Sequence, residues 1–431
     1  MSTLGIINSD PEIRKSIENT FKLNNENKRD LIFLINEDEI LEFLKYSLPE
    51  LVVINFSDPE INIDNIIKQI QDDKWILNFG IIGIIDPLKD KEEEQLNKYK
   101  AINVLTMMYN YLIRSHLVKS VEIIEQNYQI IFQREFSKTF LEVSSGNFNI
   151  DNDLRAVPLY AGIGATILSQ RGLINPDKKM HLQLALSELI VNAIEHGSCG
   201  ISYEEKSKSM ESGVTSVDLI NEKCKDPRIN EKIVFFSWDI KPDKSTFTIR
   251  DQGSGFDVQT YLKKLKKQSD YSLHGRGIKM AAKLSHKLIY NSKGNQVSLV
   301  LKHDTSIEYE VPVGFIKEQV IHVKEGDIIM HEGELSDSLY YISSGTYEVL
   351  HNDACVGTLS PQDIFMGEMS FLLNQRRSAT IRATSIGKLV LLPQKNFINI
   401  IREYPHYGIF LSKLLAKRLV RSNEQVATSK T

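Results

Sequence analysis

Three groups of residues in this chain have the types and spacing to do chemistry. The segment His181–Gly197 reads HLQLALSELIVNAIEHG, with Leu182, Ala185, Leu186, Leu189, Ile190 and Ala193 recurring at helical spacing. Glu188, Asn192 and His196 are each four apart, so a carboxylate, an amide and an imidazole share the opposite face of that helix. Alone, such a face would simply meet water. Downstream, Thr246-Phe247-Thr248-Ile249 alternates as a strand and runs into Arg250-Asp251-Gln252-Gly253-Ser254-Gly255-Phe256. Asp251 at a strand end is an acceptor suited to an adenine amino group, and Gly253 and Gly255 let backbone approach a flat ring. Gly275-Arg276-Gly277 then opens a helix-like run from Ile278 to Ser285, and bare amides at a helix start suit phosphate. Between these loops, Lys263, Lys264, Lys266 and Lys267 form a cationic run that either faces solvent or reaches phosphate.

The order ELIVNAIEHG, DQGSGF, GRGI and YNSKGNQVSLVL resembles the ATP-binding domain shared by GHKL proteins, over about residues 140–310. Within that group it is most similar to the anti-sigma factor serine/threonine kinases. The resemblance implies ATP with Mg²⁺ as cofactors: Asn192 as a metal ligand, Glu188 as the general base that orients a protein hydroxyl, and Asp251 as the acceptor for the adenine amine. Gly253, Gly255, Gly275 and Gly277 would shape the pocket and its lid. A charged segment, 198–231, interrupts the pattern. Its helix-like stretches Ile201–Lys206 and Val217–Lys223 predict a small surface subdomain that covers the lid or selects a partner.

These motifs need a framework. At 431 residues the chain should hold two to four domains, and 56 acidic against 52 basic side chains leave a net charge of −4, which calls for neither nucleic acid nor an anionic membrane. Cys199, Cys224 and Cys355 are odd in number and far apart, without disulfide or zinc spacing, which suits a reducing compartment. The start lacks an export pattern and no uncharged apolar run could span a bilayer, so the expected location is cytoplasmic.

From Leu4 to about residue 118, the apolar runs Leu4–Ile7, Leu31–Ile35, Leu51–Ile54, Phe79–Ile85 and Ile102–Leu105 alternate with charged, helix-like stretches. That rhythm predicts a parallel α/β domain, and its order resembles the receiver domain of two-component signalling. The third run ends in Asn55 where receivers carry their phosphorylated aspartate, and an amide accepts no phosphoryl group. Asp10 and Asp58 would need a shifted register to serve. The expectation is a degenerate receiver used for contacts. Residues 112–142 read as helix, with Leu117, Val121, Ile124, Tyr128 and Ile131 in a stripe that suits a connector or a homodimer seam. His116 lacks the acidic neighbour of a histidine-kinase phosphoacceptor, so it is expected to be a solvated helix residue.

From about Ile321 onward, short alternating segments with turn glycines predict a β-barrel. Phe365-Met366-Gly367-Glu368-Met369-Ser370-Phe371 followed by Arg376-Arg377-Ser378-Ala379-Thr380 resembles the phosphate-binding cassette of cyclic nucleotide-binding domains, over residues 312–425. By that resemblance Arg377 would bind the cyclic phosphate and Glu368 the ribose hydroxyl, with amides near Gly367, Ser378 and Ala379 completing the cradle. Cyclic AMP is the first expectation, and the Ser378 hydroxyl leaves cyclic GMP open. Helix-like segments Phe397–Arg402 and Phe410–Val420 follow, with no helix-turn-helix and hence no direct nucleic-acid partner.

The expected fold is thus multi-domain α/β and α+β: a receiver-like parallel α/β domain (1–118), a helical connector (119–142), a GHKL α/β sandwich (143–311, with the insert 198–231) and a C-terminal β-barrel of jelly-roll type with flanking helices (312–425). The expected function is a serine/threonine protein kinase of the anti-sigma type, regulated by a cyclic nucleotide, with a small antagonist protein or a sigma factor as partner. The alternative is a scaffold that senses ATP and cyclic nucleotide and captures a partner without phosphotransfer. A histidine kinase ranks third.

Overall fold

The computed structural model describes residues 3–23, 29–73, 79–132, 144–241, 243–258, 281, 285–304, 311–373 and 375–428. The chain divides into two compact units, Met1–Ile84 with Ser306–Thr431, and Ile85–Thr305. Among the described residues no helix is long and apolar enough to cross a membrane.

The N-terminal runs form β1 (Thr3–Ile7), β2 (Asp30–Leu34), β3 (Leu51–Asn55), β4 (Gly80–Ile85) and β5 (Val104–Tyr109), in sheet order β2-β1-β3-β4-β5. The pairings β1 with β2, β1 with β3 and β3 with β4 are parallel. β3 and β4 are buried at every position, which is why they read as unbroken apolar runs rather than alternation. Helices α1 (Pro11–Leu23), α2 (Glu37–Glu42), α3 (Ile63–Asp72) and α4 (Glu92–Lys98) connect them, α3 starting at an Asn62 side chain that accepts from the Asn65 amide. At the end of β3, buried Asn55 donates from Nδ2 to Asn8 Oδ1 at 2.9 Å. Asp58 accepts from the Ser9 amide at 2.6 Å and the Ser9 hydroxyl at 2.7 Å, so its carboxylate is occupied in holding two loops together. Asp10 Oδ1 accepts from the Glu12 amide at 2.8 Å and serves the start of α1.

The same unit contains two four-stranded sheets, β11-β18-β13-β16 and β12-β17-β14-β15, that face each other as a β-sandwich. These strands are β11 (Gln319–Val323), β12 (Ile328–Met330), β13 (Ser338–Ser344), β14 (Tyr347–His351), β15 (Ala354–Leu359), β16 (Phe365–Met366), β17 (Thr380–Ala383) and β18 (Gly387–Pro393). Phe315, Tyr341, Phe365 and Tyr407 pack at one end of it. Helices Gln394–Glu403 and Pro405–Thr428 follow, covering the two stretches expected to be helical. From the second of these, buried His406 bonds through Nε2 to Asp73 Oδ2 at 2.6 Å, and Lys413 donates to the Leu48 carbonyl at 2.7 Å.

The other unit includes helices α5 (Ile113–Gln126), α6 (Tyr128–Phe132), α7 (Val157–Gln170) and α8 (Pro176–Asn192) and a sheet ordered β6-β7-β8-β10-β9. The strands are β6 (Ser144–Ile150), β7 (Val234–Ile240), β8 (Lys244–Arg250), β9 (Lys287–Tyr290) and β10 (Gln296–Lys302), and all their pairings are antiparallel. Strict alternation buries Val234, Phe236, Trp238 and Ile240 of β7, and Val297, Leu299 and Leu301 of β10. α7 is nearly all buried because it packs on several neighbours at once. A Cβ on Gly162 would lie 1.7 Å from the Leu105 carbonyl oxygen, and one on Gly164 would lie 3.0 Å from Phe236 Cζ. The segment 198–231 folds as α9 (Tyr203–Glu211), α10 (Ser216–Lys223) and α11 (Pro227–Asn230), with a reciprocal cap between Thr215 and Asp218.

One expectation for α5 is corrected. His116 is not solvated: it is 7% exposed, with Nε2 2.8 Å from Asp153 Oδ2 and Nδ1 2.6 Å from Ser115 Oγ. Burial works to raise the Asp153 carboxyl, but the His116 hydrogen bond and charge hold it below its usual range. Of the apolar stripe, Leu117, Val121 and Ile124 on α5 and Ile131 on α6 are buried, and Tyr128 is half-buried.

Replacing Gly162 by Ala should lower stability by about 2 kcal/mol or more, because rigid backbone stands where the methyl would go. Urea unfolding measures this, and an unshifted midpoint would mean that α7 does not lie against Leu105.

Candidate functional site

α8 begins at an Asn175 cap with Pro176 in its first turn, and after Asn192 it widens into a π-turn over Ala193–Ser198. The expected apolar positions Leu182, Ala185, Leu186, Leu189, Ile190 and Ala193 are buried. This turn, together with residues of β8, β9 and β10, lines a cavity of about 470 Å³. Its lining includes Asn192 and His196 from the helix, Asp251, Gly255 and Phe256 from the loop after β8, and Tyr290, Asn295 and Gln296 from β9, β10 and their turn. Gly200, Ile201, Ser202 and Tyr203 of the inserted segment form another wall.

Asn192 and Asp251, far apart in sequence, therefore meet at one cavity. Glu188 lies one turn earlier on α8, half-buried and outside the lining. Gly255 lines the cavity, while Gly253 supports Asp251 from behind. Gly275, Gly277 and the lysines at 263, 264, 266 and 267 lie outside the described residues.

Glycine sets the geometry around Asp251. Its Oδ1 accepts from the Gly253 amide at 2.7 Å, its amide donates to the Asn295 carbonyl at 3.0 Å, and Asn295 Nδ2 returns a bond to the Asp251 carbonyl at 3.0 Å. A Cβ on Gly197 would fall 2.2 Å from Asp251 Cγ, and one on Gly253 would fall 2.3 Å from the Gly197 carbonyl oxygen. Gly255 has φ +79° and sits where a Cβ would be 1.9 Å from the Lys293 carbonyl oxygen. Burial pushes the Asp251 carboxyl above its usual range, against the opposing pull of the Gly253 amide. His196 bonds through Nδ1 to the Ile201 carbonyl at 2.6 Å and its ring lies 4.3 Å from that of Tyr203. Gly197, Tyr203, Tyr290 and Asn295 were not among the expected site residues. Gly197 and Asn295 stand inside the motifs already read, whereas Tyr203 is hidden in the insert, where nothing local marks it.

In the β-sandwich, Gly367 follows β16 with φ +82° and leads into the helix Glu368–Leu373. Arg377 is 3% exposed and reaches back beneath that turn. Its Nη1 donates to the Gly367 carbonyl at 2.9 Å and the Ser370 hydroxyl at 2.6 Å; its Nη2 donates to the Ser336 hydroxyl and the Ser338 carbonyl, both at 2.6 Å. Its Nε is buried without a partner. The guanidinium is thus bonded only to uncharged oxygens, and burial lowers its pKa, offset in part by Tyr340, Glu334, Glu368 and Asp337. Ser378 is exposed and Ala379 half-buried just beyond it. Ser336, Ser338 and Ser370 were not expected to hold Arg377.

A profile for the histidine kinase-like ATPase domain matches residues 150–301, and one for the cyclic nucleotide-binding domain matches residues 320–404. The chain carries both of these domains. The second is 35% identical over 79 residues to the cAMP-dependent protein kinase type II regulatory subunit of Drosophila melanogaster, covering 18% of this chain and 21% of that protein. It is 28% identical over 109 residues to the Pycsar effector protein BcPycTIR of Burkholderia cepacia, covering 25% of this chain and 36% of that one. The chain thus spans about a fifth and about a third of these two curated relatives. Among solved structures, the Thermus thermophilus catabolite activator protein is 26% identical over 27% of this chain and 57% of its own, with a TM-score of 0.26.

Gly255→Ala should weaken binding of a fluorescent ATP analogue about tenfold or more, since the left-handed backbone and the Lys293 carbonyl both resist a methyl group. A titration with circular dichroism as a folding control checks this. Unchanged affinity in a folded variant would show that the two loops need not clasp.

Proposed function

We propose that this chain is a cytoplasmic signalling protein whose ATPase domain transfers the γ-phosphoryl group of ATP to a serine or threonine of a small antagonist protein, in the manner of anti-sigma factor kinases. The observation that carries the reading is the placement of Asn192 and Asp251 on one cavity, framed by loops that only glycine can bring so close. Asp251 accepts from the adenine amine. Asn192, a neutral oxygen donor at the cavity, fits as a ligand for Mg²⁺, which takes its remaining ligands from phosphates and water. Glu188 is the general base that receives the proton of the acceptor hydroxyl. Gly275 and Gly277 cradle the phosphates.

In the sensor, Arg377 exchanges its neutral partners for the cyclic phosphate, and Glu368 accepts from the ribose hydroxyl. The amides near Gly367, Ser378 and Ala379 complete the cradle, with cyclic AMP favoured over cyclic GMP. The N-terminal domain is receiver-like and serves contacts: its strand order is that of a doubly wound sheet, while Asn55 bonded to Asn8 occupies the position of a phosphoacceptor. A sigma factor or its antagonist is the partner. A second reading, a scaffold that captures a partner without phosphotransfer, is favoured by one observation: Glu188 lies outside the cavity lining.

Incubation with labelled ATP, Mg²⁺ and candidate antagonist proteins should give transfer that changes with cyclic AMP. Glu188→Gln should reduce that transfer about a hundredfold or more while ATP binding persists. Transfer undiminished in this variant contradicts the kinase assignment, and ATP-dependent capture that consumes no ATP supports the scaffold. Calorimetry should show cyclic nucleotide binding that Arg377→Ala weakens at least about tenfold, the scale of a lost charge-assisted pair. If the wild type binds neither cyclic AMP nor cyclic GMP, gating by a cyclic nucleotide is ruled out.

A further inference from the structure

Two thiols distant in sequence meet beside the nucleotide cavity. Cys199 caps the π-turn that ends the site helix and is 3% exposed. Cys224 caps α10 of the inserted segment and is half-buried. Cys224 lies close enough to Cys199 to perturb its thiol, and both are free thiols. The surroundings hold them together: Lys206 of α9 pairs with buried Glu195 at 2.6 Å, Lys223 of α10 pairs with Glu205 of α9 at 2.7 Å, and Lys232 donates to the Ser198 carbonyl at 3.0 Å. The residues directly after Cys199, from Gly200 to Tyr203, form a wall of the cavity. A bond between the thiols would fix both ends of the excursion that carries this wall.

We propose that Cys199 and Cys224 are a redox modification site, at which a small-molecule disulfide such as glutathione disulfide converts the dithiol to an intramolecular disulfide and pins the cavity wall. Cys224, the more accessible sulfur, loses its proton to solvent and attacks one sulfur of the oxidant, forming a mixed disulfide and expelling a thiolate that takes up a proton. Cys199 then loses its proton to solvent, attacks the Cys224 sulfur and expels the second thiolate, which is protonated in turn. The protein gives up two electrons and two protons, and the oxidant leaves as two thiols. This order follows from the environment: burial and the neighbouring Cys224 push the Cys199 thiol up to about 12, which makes it a poor first nucleophile. Cys355, exposed in the cyclic nucleotide-binding domain, is an internal control.

The effect on nucleotide rests on the ATP reading of the cavity; the bond itself does not. Treat the full chain with glutathione disulfide, block the remaining thiols with iodoacetamide, and map the peptides by mass spectrometry. A Cys199–Cys224 linkage should form, and it should be absent in Cys224→Ser, in which Cys199 is alkylated after unfolding. The oxidised wild type should bind a fluorescent ATP analogue about threefold tighter or more, through pre-organisation of the wall, and dithiothreitol should reverse this. Glutathione on Cys355 with no 199–224 linkage overturns the site. A linkage that leaves analogue affinity unchanged overturns its coupling to the cavity. A linkage in a protein that binds no analogue in either redox state upholds the modification site and removes the ATP reading instead.

Discussion

Close approach without an intervening Cβ is the constraint on which the cavity at the end of α8 depends. Gly197 lets the widened end of α8 lie against Asp251, Gly253 lets the Asp251 loop fold under Gly197, and Gly255 lets that loop close on the turn at Lys293. Each contact brings together segments from different elements. Together they hold a half-buried carboxylate in a shaped corner, with one oxygen accepting from the Gly253 amide. Oriented in this way, Asp251 favours a ligand that offers a donor over one that does not, because an acceptor left unmatched there loses part of its solvation without return.

The cyclic nucleotide-binding domain solves a related problem with opposite charge. Arg377 is a buried cation supported by the Ser336 hydroxyl, the Ser370 hydroxyl on the cassette helix, and two carbonyls. Neutral oxygens satisfy its geometry without neutralising its charge, and one nitrogen has no partner. A site in that condition has more to gain from an anion than one already paired with a carboxylate.

Much of this was legible in the sequence because it is local. Unbroken apolar runs marked the parallel strands, alternation marked β8, and the helical stripe in His181–Gly197 identified the face of α8 that is buried. The glycine loops announced themselves through residue type and order. What stayed hidden depends on partners far along the chain. Nothing near His116 points to Asp153, nothing near Tyr203 indicates that it will line the cavity, and Cys199 and Cys224 look unrelated until α9 and α10 fold back. Arg377 carries a readable role but no sign that serines from another segment will hold it. Contacts of this kind have no period and no spacing from which to be read.

Two nucleotide-binding domains carried in one chain can be coupled, and any such coupling obeys linkage. Calorimetric titration of the full chain with a non-hydrolysable ATP analogue, with and without saturating cyclic AMP, tests it most directly. The analogue's affinity should shift about fivefold or more, and the analogue should shift the affinity for cyclic AMP by the same factor. Identical affinities for the analogue in both titrations, with cyclic AMP bound, would contradict it.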